Sequence, residues 1–257
     1  QTLNNNSYPY ILLPPEHKRT KILDLGIDEV QLLHFDEKLA KTSAEDFLRE
    51  YMVAKYNPAI IVLGYDSHFG YQRRGNYQFL LEQSKNYGFE VEYVEPVLYN
   101  NRIVSSSLIR EMLISGNLYV ANRLLGYPYT LYGTVGKGRG IGKELGFPTI
   151  NLQLEDTCQL VPYNGVYFSI AQTGDLVFYG LTNIGISPTL KHKDKAEIET
   201  YLLDIKRDFN DYTFAVSLLH YLREERMFPD KDALIRAIEK DVALAKKLVD
   251  NKIICDF

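Results

Sequence analysis

Two side-chain oxygens, on Thr149 and Asn151, stand two residues apart directly behind a glycine-rich, cationic stretch. From Gly133 to Asn151 the chain reads GTVGKGRGIGKELGFPTIN. Gly136, Gly138, Gly140, Gly142 and Gly146 leave backbone N–H groups unshielded, so this loop can fold closely around phosphate oxygens. Lys137, Arg139 and Lys143 add positive charge to it. From Pro148 to Leu154 apolar and polar residues alternate strictly, which puts Thr149, Asn151 and Gln153 on one face of a strand and Ile150, Leu152 and Leu154 on the other. A hydroxyl and an amide oxygen are hard, neutral ligands that suit a Mg²⁺ whose remaining positions are filled by nucleotide phosphates and water. For the glycines taken alone, a flexible hairpin loop is the competing account.

Two widespread phosphate motifs do not fit. In a Walker loop Gly-Lys is followed by Ser or Thr, but Gly142-Lys143 is followed by Glu144, and the motif's first glycine would fall at Lys137. No register between Gly133 and Gly146 gives G-x-G-x-x-G, which removes the main support for a nicotinamide site. Downstream, in Glu197-Ile198-Glu199-Thr200-Tyr201-Leu202, alternation places Glu199 with Glu197 and Tyr201, opposite Ile198, Thr200 and Leu202. By residue type alone, such a glutamate is a solvated strand charge.

Together the glycine stretch and Pro148-Thr149-Ile150-Asn151 resemble the ATP-binding loop and PTAN motif of riboflavin kinase, with Ile150 in place of alanine. The chain as a whole resembles the bacterial bifunctional riboflavin kinase/FAD synthetase family. That resemblance implies an ATP site at Gly136, Lys137, Gly138, Arg139, Gly140, Gly146, Thr149 and Asn151, with Mg²⁺ on Thr149 and Asn151. It matches Glu199 to the general base that activates the ribityl 5′-hydroxyl of riboflavin. It also implies flavin contacts from Arg223 and Phe228 in Leu222-Arg223-Glu224-Glu225-Arg226-Met227-Phe228, for which a packed hinge between barrel and helix is the alternative. Asn183 to Thr189 resembles a second flap beside the ligand, and the charge run Lys191 to Lys195 reads as a solvated loop tip.

For the second activity, FMN plus ATP giving FAD, the resemblance points to Asp66 in Gly64-Tyr65-Asp66-Ser67-His68-Phe69-Gly70, where Ser67-His68 replaces the usual Phe-Arg. It also points to Ser105, Ser106, Ser107 and Arg110, which match I-S-S-T-x-I-R with Ser107 for Thr. Helix caps are the plain alternative for the serines, and a cap or turn for Asp66. The family's first strand leads to H-x-G-H, whose histidines bind ATP phosphates. None of His17, His34, His68, His192 and His220 stands in that pattern. The chain therefore reads as entering the family fold after its first strand and helix, and adenylyl transfer by the chain as written stays open.

The elements that must hold these residues fall into two sets. Up to Leu125, helix and strand signals alternate: a helix from Pro14-Pro15 to Leu25, buried strands at Val30–Phe35 and Ala59–Leu63, a helix over Asn76–Tyr87 and a strand at Glu90–Val94. This order implies a parallel α/β sheet. After Tyr127, six candidate strands separated by turns suit a small antiparallel barrel, followed by a helix from Asp230 whose apolar stripe packs on it. We expect an incomplete Rossmann-like nucleotidyltransferase domain at 1–125 and a six-stranded riboflavin kinase barrel with a C-terminal helix at 126–257.

A hydrophobic content of 46% gives enough apolar material for two cores, and a net charge of −4 argues against nucleic acid as a partner. Cys158 and Cys255 match no zinc or redox spacing and read as unpaired thiols in a reducing compartment. No apolar run nears the roughly 18 residues of a membrane span, and Gln1 to Asn6 lacks the order of a signal peptide. The expectation is a cytoplasmic transferase acting on riboflavin, ATP and FMN, with FMN and FAD as products. Competing readings are a non-catalytic flavin- or nucleotide-binding module, a kinase with an inactive adenylyltransferase domain, and a barrel that binds single-stranded nucleic acid.

Overall fold

The computed structural model describes residues 10–138, 140–186 and 196–251. Expectations for Gln1 to Asn6, Arg139, Ser187 to Thr189, Lys191 to Lys195 and Cys255 therefore lie outside the described residues. The chain forms two compact units. One is Ile22–Val104, and the other combines Tyr10–Lys21 with the chain from Ser105 onward.

In the first unit, β1 (Ile60–Gly64) and β2 (Glu90–Val94) pair in parallel, from Ile60 opposite Glu90 to Gly64 opposite Val94. Parallel neighbours need a crossover, and the helix Tyr77–Tyr87 supplies it. Asn76 caps that helix by accepting from the Phe79 N–H at 2.9 Å, and Gly88 closes it in the left-handed region. Leu48, Leu63, Leu80 and Phe89 are buried together as its core. A short hairpin follows, β3 (Leu98–Tyr99) and β4 (Arg102–Ile103), turned by Asn100 and Asn101 at φ of 48° and 61°. Asparagine tolerates that conformation better than other non-glycine residues do.

The strand expected at Val30–Phe35 is absent. That run has no regular structure, and Leu32, Leu33 and Phe35 are exposed. An apolar run becomes a strand only where a ladder partner exists, and among the described residues this one has none.

In the second unit six strands close into an antiparallel barrel: β5 (Tyr129–Gly136), β6 (Thr149–Leu154), β7 (Gly165–Thr173), β8 (Leu176–Ile186), β9 (Ala196–Leu202) and β10 (Thr213–Arg223). Around the barrel the order is β10-β5-β6-β9-β8-β7, so no strand is left as an edge. Alternation fills the interior with Leu131, Val135, Ile150, Leu152, Ile184, Ile198 and Val216. Ser169, Thr182 and Thr200 also point inward, and their buried hydroxyls join β7, β8 and β9 through contacts of 2.8 and 2.9 Å. On the outer face Val166, Phe168, Leu181 and Leu219 pack against Ala245 of the C-terminal helix Lys231–Asp250. Asp230 starts that helix by accepting from the Ala233 N–H at 2.7 Å.

Residues 10–21 and 105–125 pack with the barrel. His17 stacks on Tyr132 with ring centres 3.6 Å apart, and its Nε2 lies 2.8 Å from a Glu155 carboxylate oxygen. The helix Leu118–Leu125 is fastened by one side chain. Asn122, fully buried, donates to the Leu218 carbonyl at 2.9 Å and accepts from the Tyr129 N–H at 2.8 Å, tying the helix to β10 and β5. Burial also pushes the Tyr129 phenol up, and its hydroxyl donates to the Leu160 carbonyl at 2.7 Å. Replacing Asn122 by leucine leaves a buried backbone donor and acceptor unpaired, at about 1–3 kcal/mol each. Asn122→Leu is therefore expected to lower unfolding free energy by about 2–6 kcal/mol in urea titration, and an unchanged midpoint would show that the latch is dispensable.

Candidate active site

The barrel's register puts the chemistry-bearing residues of four strands in one row. Gly136 on β5 pairs with Asn151 on β6, Asn151 with Glu199 on β9, and Glu199 with Asn183 on β8. One strand repeat away runs a second row, in which Thr149 pairs with Tyr201 and Tyr201 with Leu181. Their sequence neighbours Ile150, Ile198, Thr200, Thr182 and Ile184 are buried inside. Both rows accordingly face outward, since successive side chains of a strand point to opposite faces.

The glycine stretch leaves β5 and returns over these rows. A Cβ built on Gly138 would lie 2.0 Å from the Asn151 amide nitrogen, and one on Gly142 would lie 2.5 Å from the Phe147 carbonyl oxygen and 3.3 Å from the Thr149 hydroxyl. The loop thus lies in direct contact with both proposed metal ligands, and only residues without a side chain permit the approach. Among the described residues no group of His, Cys, Asp and Glu forms a metal cluster. Thr149 and Asn151 instead offer neutral oxygens, a donor set that fits Mg²⁺ carried in with nucleotide phosphates.

A cavity of about 290 Å³ opens beside the rows. Its floor is strand: Thr149, Leu181, Asn183, Glu199 and Tyr201. Gly142, Leu145 and Phe147 of the glycine stretch contribute one wall, and Phe147 meets Tyr201 edge-on with ring centres 5.4 Å apart. The opposite wall comes from Arg223 at the end of β10, from Glu225, Arg226 and Phe228 in the segment after it, and from Leu234, Ile238 and Asp241 of the C-terminal helix. Arg223 is held by the Asp241 carboxylate, with Nε 2.9 Å and a terminal nitrogen 2.8 Å from Oδ2. Its guanidinium also stands 5.7 Å from the Phe228 ring centre, and that of Arg226 stands 5.0 Å from the same centre.

Of the residues singled out from sequence, Thr149, Glu199, Arg223 and Phe228 line this one cavity, and Asn151 adjoins Glu199 in the row. Gly136, Lys137, Gly138, Gly140 and Gly146 belong to β5 and the loop behind it, with Gly140 and Gly146 at φ of 75° and 87°. Arg223 meets Phe228 as a cation–π partner within the protein, so the hinge reading and the ligand-wall reading describe the same pair. The cavity also contains Asn183, Glu225 and Arg226, from segments that the sequence put beside the ligand without individual roles, and Tyr201 and Asp241, which it left unassigned. Asp241 carried a legible signal, because a carboxylate three residues after Ile238 on the helix's apolar stripe requires a cationic partner.

The remaining predicted residues divide between the units. Asp66 follows β1 in the first unit, and its backbone oxygen lies 2.7 Å from Nδ1 of His68, which in turn lies 2.9 Å from Arg73. Ser105 belongs to the second unit and caps the helix Ser106–Ile114, accepting from the Leu108 N–H at 3.3 Å. Ser106 and Ser107 form that helix's first turn, and Arg110 donates to the Tyr10 carbonyl at 2.9 Å.

An outward-facing Thr/Asn/Glu constellation thus lies beneath a glycine loop on a closed six-stranded barrel. Comparison with known proteins gives the family. A family model described as riboflavin kinase matches residues 125–249, and one described as FAD synthetase matches residues 1–108. The chain is 34% identical to the bifunctional riboflavin kinase/FMN adenylyltransferase of Buchnera aphidicola subsp. Schizaphis graminum, over 95% of this chain and 79% of that protein. It is 36% identical to the Pseudomonas fluorescens protein of the same description, over 87% of this chain and 71% of that one. In structure it is similar to a macrolide-efflux protein from Streptococcus pneumoniae, with a TM-score of 0.84, 28% identity and coverage of 95% of this chain and 79% of that one. The chain belongs to the bifunctional riboflavin kinase/FMN adenylyltransferase family. It is a transferase of FMN and FAD biosynthesis with riboflavin kinase activity, in a family whose substrates are riboflavin, ATP and FMN. No described helix is long and apolar enough to cross a membrane.

The Arg223–Asp241 pair is largely withdrawn from solvent, with side chains 23% and 11% exposed. Removing one partner of such a pair leaves the other charge uncompensated. Asp241→Ala is expected to cost about 3 kcal/mol in denaturant titration, and a loss under about 0.5 kcal/mol would show that solvent already screens the pair.

Proposed function

We propose that the outer-face cavity of the barrel is the riboflavin kinase site, with Glu199 as general base. The observation that carries this reading is the register: Glu199 lies directly between Asn151 and Asn183 and lines the cavity that Thr149 also lines. The 5′-hydroxyl of the ribityl chain gives its proton to Glu199 as its oxygen bonds to the γ-phosphorus of ATP, and the bond to the bridging oxygen breaks to release ADP. Backbone N–H groups of the glycine stretch hold the phosphates, with Lys137 and Arg139 adding positive charge. Thr149 and Asn151 would hold Mg²⁺, which when bound supplies charge compensation for the phosphate oxygens. Arg223 and Phe228 form the wall against which the isoalloxazine ring packs.

The adenylyltransferase role falls to Asp66, Ser105, Ser106, Ser107 and Arg110 on this reading, with Ser105 both capping its helix and facing nucleotide phosphate. Functional domains at 1–125 and 126–257 are supported by the two family matches, at 1–108 and 125–249. ATP as phosphoryl donor supports a cytoplasmic enzyme.

Incubating the chain with riboflavin, ATP and Mg²⁺ and separating the flavins by chromatography is expected to yield FMN. Formation of neither FMN nor FAD would favour the binding-module reading. Since a positioned base contributes about 10²–10⁴-fold, Glu199→Ala should lower kcat by that factor while riboflavin binding persists. An unchanged kcat would remove Glu199 from the role. Gly138→Ala places a methyl group on Asn151 and is expected to raise KM for MgATP more than KM for riboflavin; the reverse pattern would move the nucleotide away from this loop.

A further inference from the structure

We propose that Asn183 is a positioning residue that holds the Glu199 carboxylate in its reactive orientation. The proposal rests on the reading of Glu199 as base and assigns it a second side chain. Asn183 and Glu199 are directly opposed on the antiparallel strands β8 and β9, and both line the cavity. Side chains so opposed have Cβ atoms about 4.5–5.5 Å apart, within reach of an amide-to-carboxylate hydrogen bond. Asn151 flanks Glu199 on the other side, but its amide lies under Gly138 of the glycine stretch. Asn183 is the flanking amide on the cavity side.

The chemistry calls for such a group. An ionised carboxylate is an acceptor only, and to take a proton from an alcohol it must present one oxygen while the other is fixed. A cation would fix it at the expense of its basicity, because an adjacent positive charge stabilises the ionised form. A neutral carboxamide donates without adding charge.

Asn183 is also anchored for the task. Its neighbours Thr182 and Ile184 are fully buried, and immediately beneath the Asn183–Glu199 pair the Thr182 and Thr200 hydroxyls meet at 2.9 Å. The backbone of both residues is thereby fixed in one register.

The test is a double-mutant cycle with steady-state kinetics on the full chain. Removing one hydrogen bond to a charged group should lower kcat about 10- to 100-fold in Asn183→Ala, with KM for riboflavin and MgATP within about 2-fold of wild type. In the Glu199→Gln background the same substitution should cause no further loss, because the group it positions is gone. Asn183→Ser, which keeps a donor, should recover part of the activity. If Asn183→Ala does not fold, the isosteric Asn183→Asp serves in its place and should lose at least as much. A loss that multiplies with that of Glu199→Gln, or one confined to KM, would overturn the positioning role and leave Glu199 in place. A normal kcat in Glu199→Gln would instead overturn the reading of Glu199 itself.

Discussion

The antiparallel register of β5, β6, β9 and β8 is the constraint on which the site depends. Because side chains alternate with a period of two, a slip of one residue on any of these strands would turn its polar row into the barrel and its isoleucines outward. The register is held from within. Ile150, Ile198 and Ile184 fill the interior, and the Ser169–Thr182–Thr200 hydroxyl chain is satisfied only when β7, β8 and β9 stand in this alignment. Closure of the barrel adds a further restraint, since no strand can shift without breaking ladders on both of its sides. The outward row of Gly136, Asn151, Glu199 and Asn183 is thus a by-product of core packing. The packing that stabilises the barrel therefore also sets the positions of this row.

With the row fixed, what lies above it is decided by space. Asn151 and Thr149 project toward the returning loop, and the loop approaches until a Cβ at Gly138 would overlap the Asn151 amide. Steric need explains glycine at this position more directly than flexibility does. A loop bearing side chains would stand off from the hydroxyl and amide beneath it. Cationic residues between the glycines contribute charge, but proximity comes from what the glycines lack.

The sequence made strands such as β6 and β9 legible because they alternate, whereas β7 buries Val166, Tyr167 and Phe168 in succession. Six strands form, as expected, and the alternation read from Pro148 to Leu154 becomes the strand Thr149–Leu154. The same argument failed at Val30–Phe35, where apolar character was present but no ladder partner was. For the site, the outward orientation of Thr149, Asn151 and Glu199 followed from local alternation alone. Asn183 was hidden for a different reason: that it faces Glu199 depends on pairing between β8 and β9, which no local pattern records. Asp241 stood out as a carboxylate on an apolar stripe, but which cation it meets emerges only with Arg223 beside it. Cross-strand and helix-to-strand neighbours are tertiary facts, whereas strand faces are written locally.

The two sides of the cavity differ in how firmly they are held. Its floor is ladder, whereas its far wall leaves β10 at Arg223 and runs from Glu224 through Phe228 without regular structure before the C-terminal helix begins. A buried ion pair seldom adds net stability over an apolar pair of similar volume, because desolvation offsets the attraction. What Arg223–Asp241 adds is direction: a bidentate guanidinium–carboxylate contact fixes the angle at which the chain leaves β10. Glu225, whose carboxylate lies against Gly185 of β8 where a Cβ would meet it at 2.2 Å, fixes the wall a second time. An irregular segment seated at both of these points can accommodate a flat ring by side-chain movement of Arg226 and Phe228. The row that carries the proposed base need not move at all, so ligand fit and reactive geometry are separated onto different parts of the fold.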